Sequence, residues 1–387
     1  MGVENLQKRY GLLAAYIGPT LLGVMVFSII PILYNIFMSF TNRNQFRFMP
    51  CPEGLTYDKC PSKGYVWVWF ENYRTLLGDL FTPDTLRALL WFGVLIIALF
   101  IVHRLVRRTV NARTEMDGGM LGLLIVAGLA LILWFIPPTQ EAIASLRSSG
   151  DFVIVMSRTT VWTVICVALF FVVGLFLALI LNSDYIRAKG FWRTLIIVPW
   201  AVPYYISALT WKFFFNGEFG TINNILRQLG WENPPTWLND PTLAFAALVI
   251  INLWMSFPFF TTIILGALQS IPKEMYEASE VDGANWWRQL GAITLPLIRP
   301  AVIPAVILSA LTTFKLFESV WMVTKGGPFT GGRTGATEIV MVYSYNQAFQ
   351  KFNFGYISAF AVILFILLFS VTIWQVRQSR LLSEGAR

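Results

Sequence analysis

Long apolar runs separated by short polar segments dominate the pattern of this chain. Eight runs approach or exceed the length that a helix needs to cross a hydrocarbon layer roughly 30 Å thick. They lie at residues 11–40, 86–102, 120–136, 159–181, 195–215, 242–268, 296–316 and 354–376. The second run has 17 residues, which is at the short limit for a spanning helix. The pattern predicts an all-α membrane protein with eight transmembrane helices.

Lys and Arg are divided unevenly between the segments that connect these runs. One alternate set holds 14 of them in 77 residues, at 1–10, 103–118, 182–194, 269–295 and 377–387. The other set holds 10 in 130 residues, at 41–86, 137–157, 216–241 and 317–353. Basic residues concentrate in the cytoplasmic loops of membrane proteins. We therefore expect a multi-pass protein of the cytoplasmic (inner) membrane with both termini in the cytoplasm.

The composition excludes an ordinary soluble protein. The chain is 56% hydrophobic and 13% charged, whereas about 25% of the residues of a soluble protein are charged. Its net charge of +8 is accounted for by the basic cytoplasmic loops and does not require a nucleic-acid partner. The densest basic stretch, residues 103–108, is expected to contact anionic lipid head groups.

The cysteines suggest one disulfide bond. Cys51 and Cys60 both lie in the predicted outer loop, residues 41–86, where disulfides persist, and we expect them to form a bridge. Cys166 lies within the fourth run and is expected to be a small core residue. The first run has no small-residue cleavage site after it, so it is expected to act as an uncleaved insertion signal.

The sequence offers no convincing catalytic or metal site. Residues 327–334 approximate a phosphate-binding loop, but they have Arg in place of Lys and lie in a predicted outer loop. One histidine and no cysteine cluster leave no metal site to propose. No set of nucleophile, base and orienting residue stands out. We expect a protein that is not itself an enzyme and that holds no cofactor or metal.

The segment between the sixth and seventh runs, residues 269–299, predicts a compact helix–turn–helix. Pro272 suits the first turn of a helix, Glu274 favours the positive end of that helix, and Gly283 permits a reversal into a second helix. The second helix is expected to continue into the seventh spanning run. An alternative is an amphipathic helix pair on the bilayer surface, with Trp286 and Trp287 as interfacial anchors.

The fifth, sixth and seventh runs are candidates for a transport pathway. They contain prolines, which kink or break spanning helices where a cavity or neighbour satisfies the freed backbone groups: Pro199, Pro203, Pro258, Pro296, Pro300 and Pro304. Hydroxyls, amides and aromatic rings accompany them: Asn252, Trp254, Ser256, Phe259, Thr261, Thr262, Ser309, Thr312, Thr313 and Phe314. A sugar needs hydrogen bonds for its hydroxyls and flat rings for its C–H faces. The alternative role for these hydroxyls is hydrogen bonding between neighbouring helices.

Several motifs of the second half resemble one transporter family. They are Glu277-Ala278-Ser279 with Gly283 and Ile293-Thr294-Leu295-Pro296, then residues 314–320, 324–328, 345–349 and 354–356. Together they resemble maltose-type permease subunits, the carbohydrate branch of the binding-protein-dependent ABC importers. The resemblance is strong over residues 155–387 and covers the first three runs by topology alone. It implies a type I ABC importer permease fold.

The resemblance also implies a domain division. Residues 1–154 would form a three-span accessory region that contains the outer loop 41–86. Residues 155–387 would form the core permease domain, with the cytoplasmic coupling loop at 269–299.

The resemblance further implies partners and roles. Two ATP-binding subunits would hydrolyse ATP, a second, different permease subunit would complete the pathway, and an extracytoplasmic sugar-binding protein would deliver substrate. The ATPase-coupling residues would be Glu277, Ala278, Ser279, Gly283, Ile293, Leu295 and Pro296. The substrate-binding residues would be Trp254, Ser256, Phe259, Ser309, Thr312, Thr313 and Leu316.

The expected substrate is a sugar or oligosaccharide of the maltose, trehalose or maltodextrin type. Thr312, Thr313 and Leu316 stand where the maltose permease carries an aromatic residue and amides, and only residues 137–157 follow the third run where that protein has a large outer domain. These departures argue against maltose itself. Alternatives are an importer of a polyol or glycerol-phosphate type solute, a secondary transporter, which would need acidic groups at membrane depth, or a membrane scaffold.

Overall fold

The computed structural model describes residues 15–47, 49–50, 64–83, 85–94, 97–98, 104, 139–142, 150–183, 185–331 and 334–384. The third predicted span, Cys51, Cys60 and most of the basic stretch 103–108 lie outside the described residues. The described residues form helices and one short pair of parallel strands. Two compact units are present, and each is described by itself below.

The first unit consists of Met1–Leu76 and Ser344–Val376. Its elements are helix α1 (Ala15–Ser39), strand β1 (Met49–Pro50), strand β2 (Gly64–Tyr65), helix α2 (Glu71–Gly78) and the first part of the last helix, Phe354–Glu384. The backbone N–H of Gly355 donates to the carbonyl of Arg43 at 3.0 Å. A Cβ atom at Gly355 would collide with the carbonyl oxygen of Thr41, so a glycine permits this close approach.

The second unit consists of Leu77–Tyr343 and Arg377–Arg387. Its elements are α3 (Thr85–Val94), α4 (Asp151–Asn182), α5 (Lys189–Ala201), α6 (Tyr204–Phe214), α7 (Thr221–Gln228), α8 (Pro241–Gln269), α9 (Lys273–Val281), α10 (Trp286–Gln289), α11 (Leu295–Phe314) and α12 (Glu318–Val323). Helix α13 (Val340–Tyr345) runs across the boundary between the units, and Phe354–Glu384 is α14.

Helices α4, α8 and α11 form the core of the second unit. Each is apolar on all sides, as a helix is when protein and lipid surround it. Trp162, Phe170, Phe260 and Ile298 are fully buried among them. Gly174 of α4 lets α8 approach closely, because a Cβ atom there would lie 2.5 Å from the Cβ of Phe260 and 3.0 Å from the backbone nitrogen of Thr261. Cys166 is buried in this core, as expected.

The fifth predicted span is broken rather than kinked. Helices α5 and α6 meet at an angle of 90°. Val202 is extended at φ −77° and ψ 133°, which is the conformation favoured before a proline, and Pro203 precedes the first turn of α6. The sequence indicated that Pro199 and Pro203 disturb this span but did not indicate how sharply.

Five helices of the described residues are long and apolar enough to cross a membrane: Ala15–Ser39, Asp151–Asn182, Pro241–Gln269, the continuous run Trp286–Val323, and Phe354–Gln375. The broken pair α5 and α6 would make a sixth. In the second predicted span, residues 86–102, the structure describes one helix, Thr85–Val94. The number of eight spans and the division at residues 154 and 155 stay predictions.

The close approach at Gly174 predicts a destabilising substitution. Gly174→Ala places a methyl group against Phe260 and Thr261 and should separate α4 from α8, at a cost of about 1–3 kcal/mol. Gly266→Ala in α8 is the matched control, since a Cβ atom there has no heavy atom within 4 Å and alanine favours the helix. Thermal unfolding of the purified protein in detergent measures both. Equal midpoints for the two variants would contradict the packing.

Candidate functional site

The segment between α8 and α11 forms the predicted helix–turn–helix. Helix α9 begins after Pro272, which is extended at φ −60° and ψ 135°, and Glu274 lies in its first turn. Asn285 caps the second helix, because its side-chain oxygen accepts from the backbone N–H of Arg288 at 2.9 Å. We call residues 273–294 the coupling element.

Gly283 makes the turn of the coupling element. Its φ is +73°, a left-handed conformation that favours glycine. The N–H of Gly283 donates to the carbonyl of Glu280 and the N–H of Ala284 to the carbonyl of Ser279, both at 2.9 Å. This pair of bonds is the Schellman ending of a helix. A Cβ atom at Gly283 would meet open space, so the backbone conformation and not packing within this chain demands glycine.

The second arm of the coupling element is continuous with a spanning helix. Helix α10 passes into a wide turn at Leu290–Thr294 and then into α11 without a break. Pro296 lies in the first turn of α11 and has no N–H to donate, which fits the widened turn before it. A displacement of the coupling element is therefore transmitted to α11 through one helix.

Two side-chain hydrogen bonds join the arms of the coupling element. The hydroxyls of Tyr276 and Thr294 are 3.0 Å apart. The Nε2 of Gln289 donates to the Oγ of Ser279 at 3.0 Å, and that hydroxyl donates to the carbonyl of Tyr276 at 2.7 Å. Ser279 thus acts within the element as a brace between its arms.

The remaining coupling candidates differ in exposure. Glu277, Ala278 and Gly283 are exposed on the outside of the element, whereas Ile293 is half-buried. Leu295 and Pro296 are exposed at the start of α11. Val281 is 89% exposed, and the exposed rings of Trp286 and Trp287 pack edge to face at 4.5 Å. The element therefore presents an acidic group, small residues and apolar side chains, a surface suited to a protein partner or to a membrane surface.

Two of the seventh-span hydroxyls are available for a ligand. Ser309 and Thr313 are buried and lie one turn apart on α11. Within the described part of the chain their side-chain hydroxyls make no hydrogen bond. Thr312 is exposed, and its hydroxyl is shared between the carbonyls of Leu308 at 3.1 Å and Ser309 at 3.0 Å. Leu316, beyond the end of α11, is half-buried.

The sixth-span candidates lie among aromatic rings on α8. Trp254 is exposed and packs against Trp211 of α6 at 5.9 Å between ring centroids. Phe259 is half-buried and lies 6.4 Å from Trp200 of α5. Ser256, also half-buried, lies between them on α8. The broken fifth span therefore supplies rings on both sides of its break.

Sequence reasoning missed Tyr204 as part of this site. Its hydroxyl donates to Oδ1 of Asn252 at 2.7 Å, which joins the first residue of α6 to the middle of α8. Asn252 is buried, and its Nδ2 has no acceptor among the described residues. The available signal was Pro203, because the residue after a helix-breaking proline lies where two helices separate.

Comparison with known proteins identifies the family of these elements. Residues 170–384 match the family model described as binding-protein-dependent transport system inner membrane component. The galactooligosaccharides transport system permease protein GanP of Bacillus subtilis (strain 168) is 34% identical over 238 residues, 61% of this chain and 57% of GanP. The match therefore spans less than two thirds of that relative.

A second relative and one solved structure extend the comparison. The trehalose/maltose transport system permease protein MalF of Thermococcus litoralis is 37% identical over 222 residues, 57% of this chain and 72% of that protein. A chain in the crystal structure of a bacterial ABC transporter involved in the import of the acidic polysaccharide alginate matches with a TM-score of 0.52 at 20% identity. That match covers 67% of this chain and 95% of the other. The predicted type I ABC importer permease fold is confirmed.

The turn at Gly283 generates a prediction. Gly283→Val should lower the transport activity of this membrane component several-fold, because a left-handed β-branched residue is strained by roughly 1–2 kcal/mol. Gly283→Asn is the matched control, since asparagine tolerates this conformation and should retain most activity. Activity is measured at equal membrane levels. Full activity of the valine variant would show that the left-handed turn is not needed, and equal loss in both variants would show that a partner packs against Gly283.

Proposed function

The chain belongs to the family of binding-protein-dependent transport system inner membrane components, and we propose that it is a permease subunit of an ATP-driven importer of a sugar or oligosaccharide. The observation that carries this proposal is the coupling element, a helix–turn–helix whose arms are joined by hydrogen bonds and whose second arm is continuous with the spanning helix α11. A protein that only scaffolds a membrane complex has no need for such an arm. A self-sufficient secondary transporter has no need for it either.

The proposed partners are two ATP-binding subunits, a second permease subunit and an extracytoplasmic sugar-binding protein. ATP hydrolysis resides in the ATP-binding subunits, which contact the exposed residues Glu277, Ala278 and Gly283. Ser279 keeps the arms together through Gln289. Movement of the partners therefore displaces the whole element. Both termini and the element lie in the cytoplasm in this arrangement, which rests on the distribution of Lys and Arg.

The proposed pathway lies along α8 and α11. Trp254 and Phe259 offer ring faces for the C–H faces of a sugar, and Ser309 and Thr313 offer hydroxyls that the described part of the chain leaves unused. Thr312 and Leu316 contribute to the shape of this surface. The names of the two relatives, which refer to galactooligosaccharides and to trehalose and maltose, support a carbohydrate.

Reconstitution of the complete complex tests the proposal. ATP hydrolysis is measured against a panel of sugars in the presence of the binding protein, with a polyol and glycerol phosphate as further solutes. Stimulation by one sugar or a group of related sugars is the expected result. Stimulation by the polyol or by glycerol phosphate alone would overturn the sugar assignment, and uptake without any ATP-binding subunit would overturn the importer assignment.

Thr312 and Thr313 of α11 allow a test of the pathway in which one threonine serves as the control for the other. Thr313→Val keeps the shape of the side chain and removes a hydroxyl that is free to bind substrate, so uptake should fall several-fold through the loss of about 1 kcal/mol. Thr312→Val removes a hydroxyl that is bonded within its own helix and should leave uptake and sugar preference unchanged. Initial uptake rates at matched expression measure both. Unchanged uptake by the Thr313 variant would remove this residue from the pathway.

A further inference from the structure

The connection between α6 and α8 contains an amphipathic helix with an uncovered apolar side. In α7 and at the residue that follows it, apolar side chains recur at the spacing of one helix face: Ile222, Ile225, Leu226 and Leu229. Ile222 and Leu226 are half-buried against the unit, but Ile225 is 50% exposed and Leu229 is 73% exposed. The apolar face of α7 is therefore wider than the protein surface that covers it.

A buried polar network fixes the rotation of α7. Asn223 is fully buried, and its Nδ2 donates to the carbonyls of Gly217 at 2.8 Å and Pro235 at 3.0 Å. Its Oδ1 accepts from Nε1 of Trp237 at 2.7 Å. Turning Ile225 and Leu229 inward would break all three bonds and leave buried polar groups unpaired, which is destabilising. The exposure of the two apolar side chains is built into the fold.

Two exposed aromatic residues flank α7. Gly230, φ +93°, follows the C-terminal end of α7, and the N–H of Trp231 donates to the carbonyl of Leu226 at 3.0 Å, which holds Trp231 beside the helix end. Phe219 precedes the helix. We call Phe219, Ile225, Leu229 and Trp231 the α7 patch; Phe219 and Trp231 are each 56% exposed.

The α7 patch is continuous with the surface of a spanning helix. The ring of Phe219 lies 5.8 Å from the ring of Phe213, an exposed residue of α6. The connection also stays close to the helix ends, because Phe215, next to α6, packs on Trp237, four residues before α8, at 5.5 Å. The patch therefore adjoins the exposed apolar surface at the end of α6, a helix of the broken fifth span.

We propose that α7 lies in the membrane–water interface and that the α7 patch is covered by lipid. An amphipathic helix with tryptophan at the edge of its apolar face is the type of segment that binds in this layer. Apolar surface that is left in water is unfavourable, and lipid would remove the patch from water. This inference rests on the proposed function in one respect, which is that α7 lies on the extracytoplasmic side of the membrane. The helix would then hold the outer ends of α6 and α8 at a fixed depth.

Spin labels on single cysteines test this inference. In the complete complex, with Cys51 and Cys60 replaced by serine and the buried Cys166 retained, nitroxides are placed by Ile225→Cys and Leu229→Cys. Gln228→Cys and Asn233→Cys are the controls, since both residues are exposed and polar. The complex is reconstituted in vesicles of phosphatidylethanolamine and phosphatidylglycerol. Collision rates with oxygen, which partitions into lipid, and with a water-soluble nickel chelate are measured at each site.

The expected result is a ratio of oxygen to nickel collisions several-fold higher at residues 225 and 229 than at 228 and 233. Equal ratios at all four sites would show a water-exposed patch and overturn the inference. Low collision rates with both reagents at 225 and 229 would show that another protein subunit covers the patch, which also overturns it. Uptake by the same variants reports on the proposed function separately, so the two can fail independently.

Discussion

Every backbone N–H and C=O group within a hydrocarbon layer must be hydrogen-bonded inside the protein, and the architecture of this chain follows from that constraint. Long uninterrupted helices such as α4 and α8 meet it within themselves. A break is tolerated where polar neighbours lie close by. The 90° break between α5 and α6 lies beside Asn252, which accepts from the hydroxyl of Tyr204. The same break turns Trp200 and Trp211 toward α8, so the aromatic part of the candidate pathway depends on it.

The sequence predicts those parts whose signals are local. Pro272 and Gly283 each limit a helix through their own backbone preference, so the coupling element could be predicted from a few adjacent residues. The apolar runs also located the spanning helices, because the signal lies in adjacent residues. The helices extend beyond the runs, and the run 159–181 lies within the helix Asp151–Asn182. The residues of the coupling element alone were compatible with two roles, a coupling loop and a helix pair on the membrane surface. The family resemblance favoured the coupling loop.

The remainder depends on contacts between residues far apart in the sequence. Tyr204 and Asn252 are 48 residues apart, and nothing near either one indicates the other. Ser279 shows a second limit of prediction from sequence. Its place in the motif suggested a contact with a partner, whereas its hydroxyl joins the two arms of the element. Thr312 and Thr313 illustrate a third. They are adjacent and identical in chemistry, yet only the hydroxyl of Thr312 is used within the helix.

Burial carries a different meaning in this chain than in a soluble protein. Asn223, Asn252, Ser309 and Thr313 are buried, whereas Phe213, Ile225, Leu229 and Trp231 are exposed. When lipid is the solvent, an exposed apolar side chain needs no partner and a buried polar one does. Asn223 has its partners and therefore fixes a structure, the rotation of α7. Within the described chain, Ser309 and Thr313 have unused hydroxyls and the amide nitrogen of Asn252 has no acceptor. The satisfied Asn223 therefore fixes part of the fold, whereas Ser309, Thr313 and Asn252 hold polar groups that the proposed pathway would offer to a hydroxylated substrate.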